Sequence, residues 1–155
     1  MGRVGARGRR KARGKVERAL IVTFVDAGVL IAATRGDRAL ALRALTILGD
    51  PDRTFASSPF LRLEVLPKAL FHRRTEEVSF LEAYFGRVEV WAAAEPDLVV
   101  RAEEEARVLG LSALDALHVA AAIATGSTEL VTTEKPGRPL HRSRLVPVRS
   151  IYPSL

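Results

Sequence analysis

Two kinds of apolar run alternate along this chain, and their order predicts a fold. Residues 19–25 (ALIVTFV) form an unbroken apolar and β-branched stretch, the pattern of a strand covered on both faces of a parallel sheet. Asp26, Ala27 and Gly28 end it, and residues 29–33 predict a short helix. A second helix is expected over 38–48, where Leu42, Leu45 and Leu48 recur at helical spacing, before a turn at Gly49-Asp50-Pro51. Residues 54–57 read as a strand. Ser58-Pro59 then has the chemistry of a helix start, a side-chain cap followed by proline in the first turn. That helix should run to about Phe71, with another over 75–85 and a short strand over 88–91. A helix from about Pro96 stops at Gly110, and Ser112 caps the next, 113–125, which closes at Gly126. Strands are expected at 129–132 and 145–148.

Strands alternating with helices imply right-handed crossovers. The fold class expected is α/β: a three-layer α/β/α sandwich around a mostly parallel sheet. Such sheets build their sites at the carboxyl ends of the strands. Asp26 follows the first strand directly and Glu134 follows a later one, so both become candidates.

At 155 residues the chain has the length of one domain, with no internal repeat or linker. Charge changes the picture at one end. Residues 1–18 carry eight Lys or Arg against Glu17 alone, leaving 16 basic and 17 acidic residues for the rest, although the whole chain is +6. Residues 1–18 are therefore expected to be a disordered basic tail, and 19–155 the folded domain. The tail is either solvated surplus or a sequence-blind binder of phosphate backbones. Absence of cysteine excludes disulfides and thiolate chemistry, and three His make a classical zinc site improbable. No apolar run approaches the roughly 20 residues that span a bilayer, so no membrane partner is expected and the cytoplasm is the default.

Each acidic candidate also has a plain structural reading. Asp26 can cap the helix after it. Glu64 lies in PFLRLEVLPKALF, apolar nearly all round; it pairs with Lys68 four residues on, or it faces a cleft. Ser112 and Asp115 have capping-box spacing, and a carboxylate in a first turn suits the helix dipole. His118, one turn further, reads as a packing residue. Glu134, Thr132 and Thr133 can be ordinary strand-end residues.

Taken in order, VDAGVLIAA, LRLEVL, LSALDALHVAAA and ELVTTEK resemble the four acidic motifs of PIN-domain ribonucleases, many of which are VapC-type toxins of toxin–antitoxin pairs. The resemblance covers about residues 20–150. It implies Asp26, Glu64 and Asp115 as the first three acidic site residues. Glu134 stands at the fourth, where the family usually has Asp, and Thr132 is a possible extra oxygen ligand. A polar residue usually follows the first Asp closely in the family; here the chain has Ala27-Gly28-Val29. The resemblance further implies a metal-dependent endoribonuclease using Mg²⁺ or Mn²⁺, RNA as substrate, products with a 5′-phosphate and a 3′-hydroxyl, an antitoxin partner and a homodimer. Carboxylates suit this chemistry because hard divalent cations prefer oxygen donors and neutralise charge growing on a phosphate. Arg62, Arg73, Arg74, Lys135, Arg138, Arg142, Arg144 and Arg149 are candidates for a phosphate-binding rim. A non-catalytic RNA-binding module is the alternative. Phosphatase chemistry is disfavoured, because Asp26 has no second Asp two residues on and there is no Walker-type loop.

Overall fold

A computed structural model of the chain describes residues 21–153. The basic tail expected at 1–18, with positions 19 and 20, lies outside them. β1 (Ile21–Val25) is followed by α1 (Ala27–Arg35), α2 (Arg38–Leu48), β2 (Arg53–Ser57), α3 (Pro59–Phe71) and α4 (Thr75–Arg87). Then come β3 (Val90–Trp91), α5 (Pro96–Leu109), α6 (Ala113–Ala124), β4 (Glu129–Thr132), a 3-10 turn (Pro139–Arg142) and β5 (Val148–Ser150).

The five strands form one sheet in the order β3-β2-β1-β4-β5, parallel throughout. Right-handed crossovers account for the layers. The chain steps from β1 to β2 to β3 in one direction, which puts α1–α4 on one face. It then returns past β1 to β4, which puts α5 and α6 on the other. The expected α/β/α sandwich is what forms. Strand order reverses between β1 and β4, where Thr23 lies opposite Glu129 and Val25 opposite Val131. Such a switch point opens a crevice beyond the strand ends.

Burial explains why β1 lacks polar alternation. Phe24 and Val25 are fully buried, as are Val29, Leu30, Val119, Leu130 and Val131 around them. A central parallel strand has no solvated face.

Several boundaries differ from the pattern. α1 begins at Ala27, because Asp26 takes the cap position and its side chain accepts from the Val29 amide. α4 continues to Arg87, and β3 is confined to Val90 and Trp91. The last strand is Val148–Ser150 instead of 145–148. Val146 is buried in the approach to the strand, not in the ladder. α3 also departs from the expectation of a mostly buried helix: Leu61, Val65, Leu66 and Ala69 face the core, while Leu63, Leu70 and Phe71 are exposed. Among the described residues no single helix is long and apolar enough to cross a membrane.

Candidate active site at the strand ends

Asp26 occupies the switch point. Its backbone amide donates to the Val131 carbonyl at 3.0 Å, so the residue is held at the last rung between β1 and β4. One carboxylate oxygen accepts from the Val29 amide at 3.2 Å, and the other from the Thr132 hydroxyl at 2.5 Å. The residue is only 8% exposed. Burial pushes its carboxyl up to about 6, and nearby Asp115 adds to the rise; the Thr132 and Val29 hydrogen bonds and the positive potential of His118 only partly oppose it. An ordinary helix cap in water would show no such rise. Asp26 is a cap and something more.

Asp115 reaches this neighbourhood from the first turn of α6. Ser112 caps that helix by accepting from the Asp115 amide, with the oxygen 3.4 Å from the nitrogen. One turn on, His118 is buried at 2% exposure, and its ring lies 6.2 Å from that of Phe24. Its Nε2 sits 2.7 Å from Glu64 Oε2, the hydrogen bond that links α6 to α3 across the sheet end. Glu64 is therefore paired with His118, not with Lys68. His118 Nδ1 is buried and has no hydrogen-bond partner among the described residues. Ser58 sets the angle of α3 by accepting from the Leu61 amide at 3.1 Å.

The chain just after β4 is pinned by its backbone. Glu134 donates its amide to the Thr132 hydroxyl at 3.0 Å, while its carbonyl accepts from the Ser150 hydroxyl at 2.6 Å and lies 3.1 Å from His141 Nε2. Its side chain is exposed. Thr132, fully buried, uses its hydroxyl on both Asp26 and Glu134, which makes it a link between the two ends. Gly28 has a local reason as well. A Cβ there would lie 2.2 Å from the Thr133 hydroxyl oxygen and 3.3 Å from Asp26 Oδ1. Its bare backbone admits the Thr133 hydroxyl beside Asp26, so a polar group arrives from β4 where the α1 sequence supplies none.

The structure thus brings Asp26, Asp115 and His118 into electrostatic reach and attaches Glu64 through His118. It does not gather all four carboxylates around one point: among the described residues, no three His, Asp or Glu side chains are arranged to hold a metal ion. The donor chemistry still fits a hard divalent cation. Oxygen donors predominate, and a desolvated carboxyl beside a second one is the situation that a cation relieves. Two contributors were not legible as site residues. His118 looked like packing, although its place one turn from Asp115 was a usable signal; Thr133 carries no signal without the Gly28 gap.

These features define an α/β/α protein with a desolvated carboxyl, and a second one near it, at the switch point of a parallel sheet. The PIN domain family model matches residues 23–135, most of the described chain, and the chain belongs to that family. Among solved structures it is similar to a chain in the crystal structure of VapBC2 from Rickettsia felis bound to a DNA fragment from their promoter. That match has 15% sequence identity and a TM-score of 0.62, and covers 84% of this chain and 98% of the other. At that identity the likeness shows the fold. No curated protein sequence matches the chain significantly.

Proposed function

We propose that this PIN-domain protein is a metal-dependent endoribonuclease and the toxin of a toxin–antitoxin pair, acting in the cytoplasm. The observation that carries the reading is Asp26: a carboxylate lodged at the sheet's switch point, desolvated, and adjoined by Asp115. Proteins seldom retain such a group without a counter-charge or a task. Family membership and the likeness to a VapBC2 chain support nuclease chemistry and a toxin role.

Asp26 and Asp115 would hold Mg²⁺ or Mn²⁺, with Glu64 and Glu134 as further oxygen donors. The bound ion would supply charge neutralisation and a water of lowered pKa. The protein's own residues do the positioning. Thr132 orients Asp26 and ties Glu134 to it. His118 fixes the Glu64 carboxylate at the crevice wall, and the α6 cap sets the height of Asp115. Burial beneath the strand ends keeps water from competing for Asp26.

A second reading has a specific observation behind it. Glu64 is engaged by His118 and, among the described residues, no three acidic groups converge, as expected of a PIN-fold RNA-binding module that does not cut. A gel assay of labelled structured RNA separates the two. Cleavage that needs Mg²⁺ or Mn²⁺, stops in EDTA and is lost in Asp26→Asn and Asp115→Asn supports the nuclease. Binding without cleavage in either metal supports the module. An antitoxin encoded beside the gene should suppress growth arrest on co-expression. A homodimer through the exposed Leu63, Leu70 and Phe71 face should appear in light scattering.

A further inference from the structure

A cleft of about 350 Å³ opens beside Glu64, walled by α1, α3 and α4, with Arg35, Lys68, His72, Arg74 and Glu77 around it. A second hollow of about 580 Å³ shares Arg35, Arg74 and Glu77 and extends past Arg73. Cations outnumber acids along both. Glu77 explains how they are arranged. Its side chain is 9% exposed, and Oε2 lies 3.6 Å from Arg35 Nε and 3.7 Å from Arg74 Nη1. These are ion-pair distances, and Oε2 has no hydrogen-bond partner. One buried carboxylate therefore draws together a guanidinium from the end of α1 and one from the turn before α4. Neither guanidinium hydrogen-bonds any described residue, so most of their ten N–H donors stay available. The turn from α3 into α4, which carries Arg74, reinforces this. Arg73 adopts φ 55°, a left-handed conformation that favours glycine, in a His72-Arg73-Arg74 run where all three side chains are polar and cationic or titratable.

We infer that Arg35 and Arg74, paired over Glu77, form a phosphate-binding site that receives the RNA backbone on its way to Glu64, with Lys68 as the next contact along the cleft. The inference rests on the nuclease reading for its substrate and adds the route by which that substrate lies. Guanidinium forks match phosphate oxygens in a bidentate manner, and a pre-oriented pair loses little freedom on binding. Because residues 19–155 are near neutral in sum, any grip they have on a polyanion depends on a local site of this kind. An acidic peptide would also meet the arginines, because a carboxylate takes the same guanidinium fork; the poly-glutamate arm of the test separates the two.

The test is binding, read without cleavage. Fluorescence anisotropy with a short labelled single-stranded RNA of mixed sequence, in EDTA across a KCl series, gives affinity and salt slope. Arg35→Ala/Arg74→Ala should weaken binding about 10-fold and lower the slope of log affinity against log salt by about 0.7 for each lost phosphate contact. Removing both arginines leaves Glu77 buried without a counter-charge, so the double variant can fail to fold. Lys68→Ala, exposed and not ion-paired with Glu77, then carries the test with a loss of one contact. Arg101→Ala on α5 should match the wild type. Unchanged affinity and slope in the folded cleft variants overturn the inference, as does wild-type protein that fails to bind the RNA. So does a double variant that loses a poly-glutamate peptide while still binding RNA. The metal-dependent cleavage assay reads separately: cleavage retained alongside an unaltered salt slope sinks the route and leaves the nuclease.

Discussion

The two ends of the sheet carry polar clusters of opposite character. At the amino end, Arg53 donates to Asp50 at 3.0 Å, to Thr23 at 2.9 Å and to Glu129, and Thr23 donates to Glu129 at 3.1 Å. The Arg53 side chain is 8% exposed, yet its charge is met on several sides. At the carboxyl end, Asp26 is as deeply buried but hydrogen-bonds only a hydroxyl and an amide among the described residues, with a second carboxylate and His118 nearby. His118 beside it leaves a ring nitrogen unpartnered. The first cluster is closed and fastens β1, β2 and β4 in register. The second is held open at a cost in stability. Charge buried with its partners points to structure; charge buried short of partners points to a ligand.

Breaking the closed cluster should have the largest effect. Glu129→Ala leaves Arg53 buried with its main partner gone, and should cost about 3–5 kcal/mol in urea unfolding. RNA cleavage per folded molecule should change little. Asp26→Asn gives the reverse result. Cleavage should fall roughly 100-fold or more, the loss expected when a principal charge-stabilising group is removed. The metal-free protein should be no less stable than the wild type at neutral pH.

That second expectation has a pH signature. The Asp26 carboxyl stands at about 6 in the folded chain against 3.8 ordinarily. The native state therefore holds a proton that the unfolded chain releases between these values. This stabilising contribution is fully present below about pH 3.8 and is lost as pH rises through about 6, by up to roughly 3 kcal/mol. Urea midpoints of metal-free protein should fall across that window, and Asp26→Asn should flatten the slope; an equal slope in both would remove Asp26 as its cause.

The smallest effect sharpens the comparison on the α6 side. Ser112→Ala removes the cap and should cost about 1 kcal/mol by thermal unfolding. Cleavage should fall somewhat as Asp115 and His118 lose a fixed height. Unchanged activity would mean that the cap serves the helix alone.

Much of this was legible along the chain because it depends on local signals. The β1 run, the Ser58-Pro59 start, the Ser112 cap and the stop at Gly110, which adopts φ 72°, all state their structure within a few residues. The parallel sheet follows from their order. What could not be read depends on distant partners. Arg53 joins β2 because Asp50, Thr23 and Glu129 hold it, and nothing in RTFAS alone says so. β5 begins at Val148 because that residue pairs with Leu130, a register that Val146 cannot announce. His118 looked like a packing residue until Glu64, 54 positions away, came within 2.7 Å. Gly28 acquires meaning only through Thr133. Apolar runs reveal layers; which polar groups meet above them is decided by the crossovers.

The central claim is that the open cluster gathers a divalent cation. Manganese binding at neutral pH, followed by electron paramagnetic resonance on wild type, Asp26→Asn and Asp115→Asn, tests it most directly. Saturable binding by the wild type, weakened at least about 10-fold in both variants, is the predicted result. Equal manganese affinity in all three proteins, or none in the wild type, would contradict it.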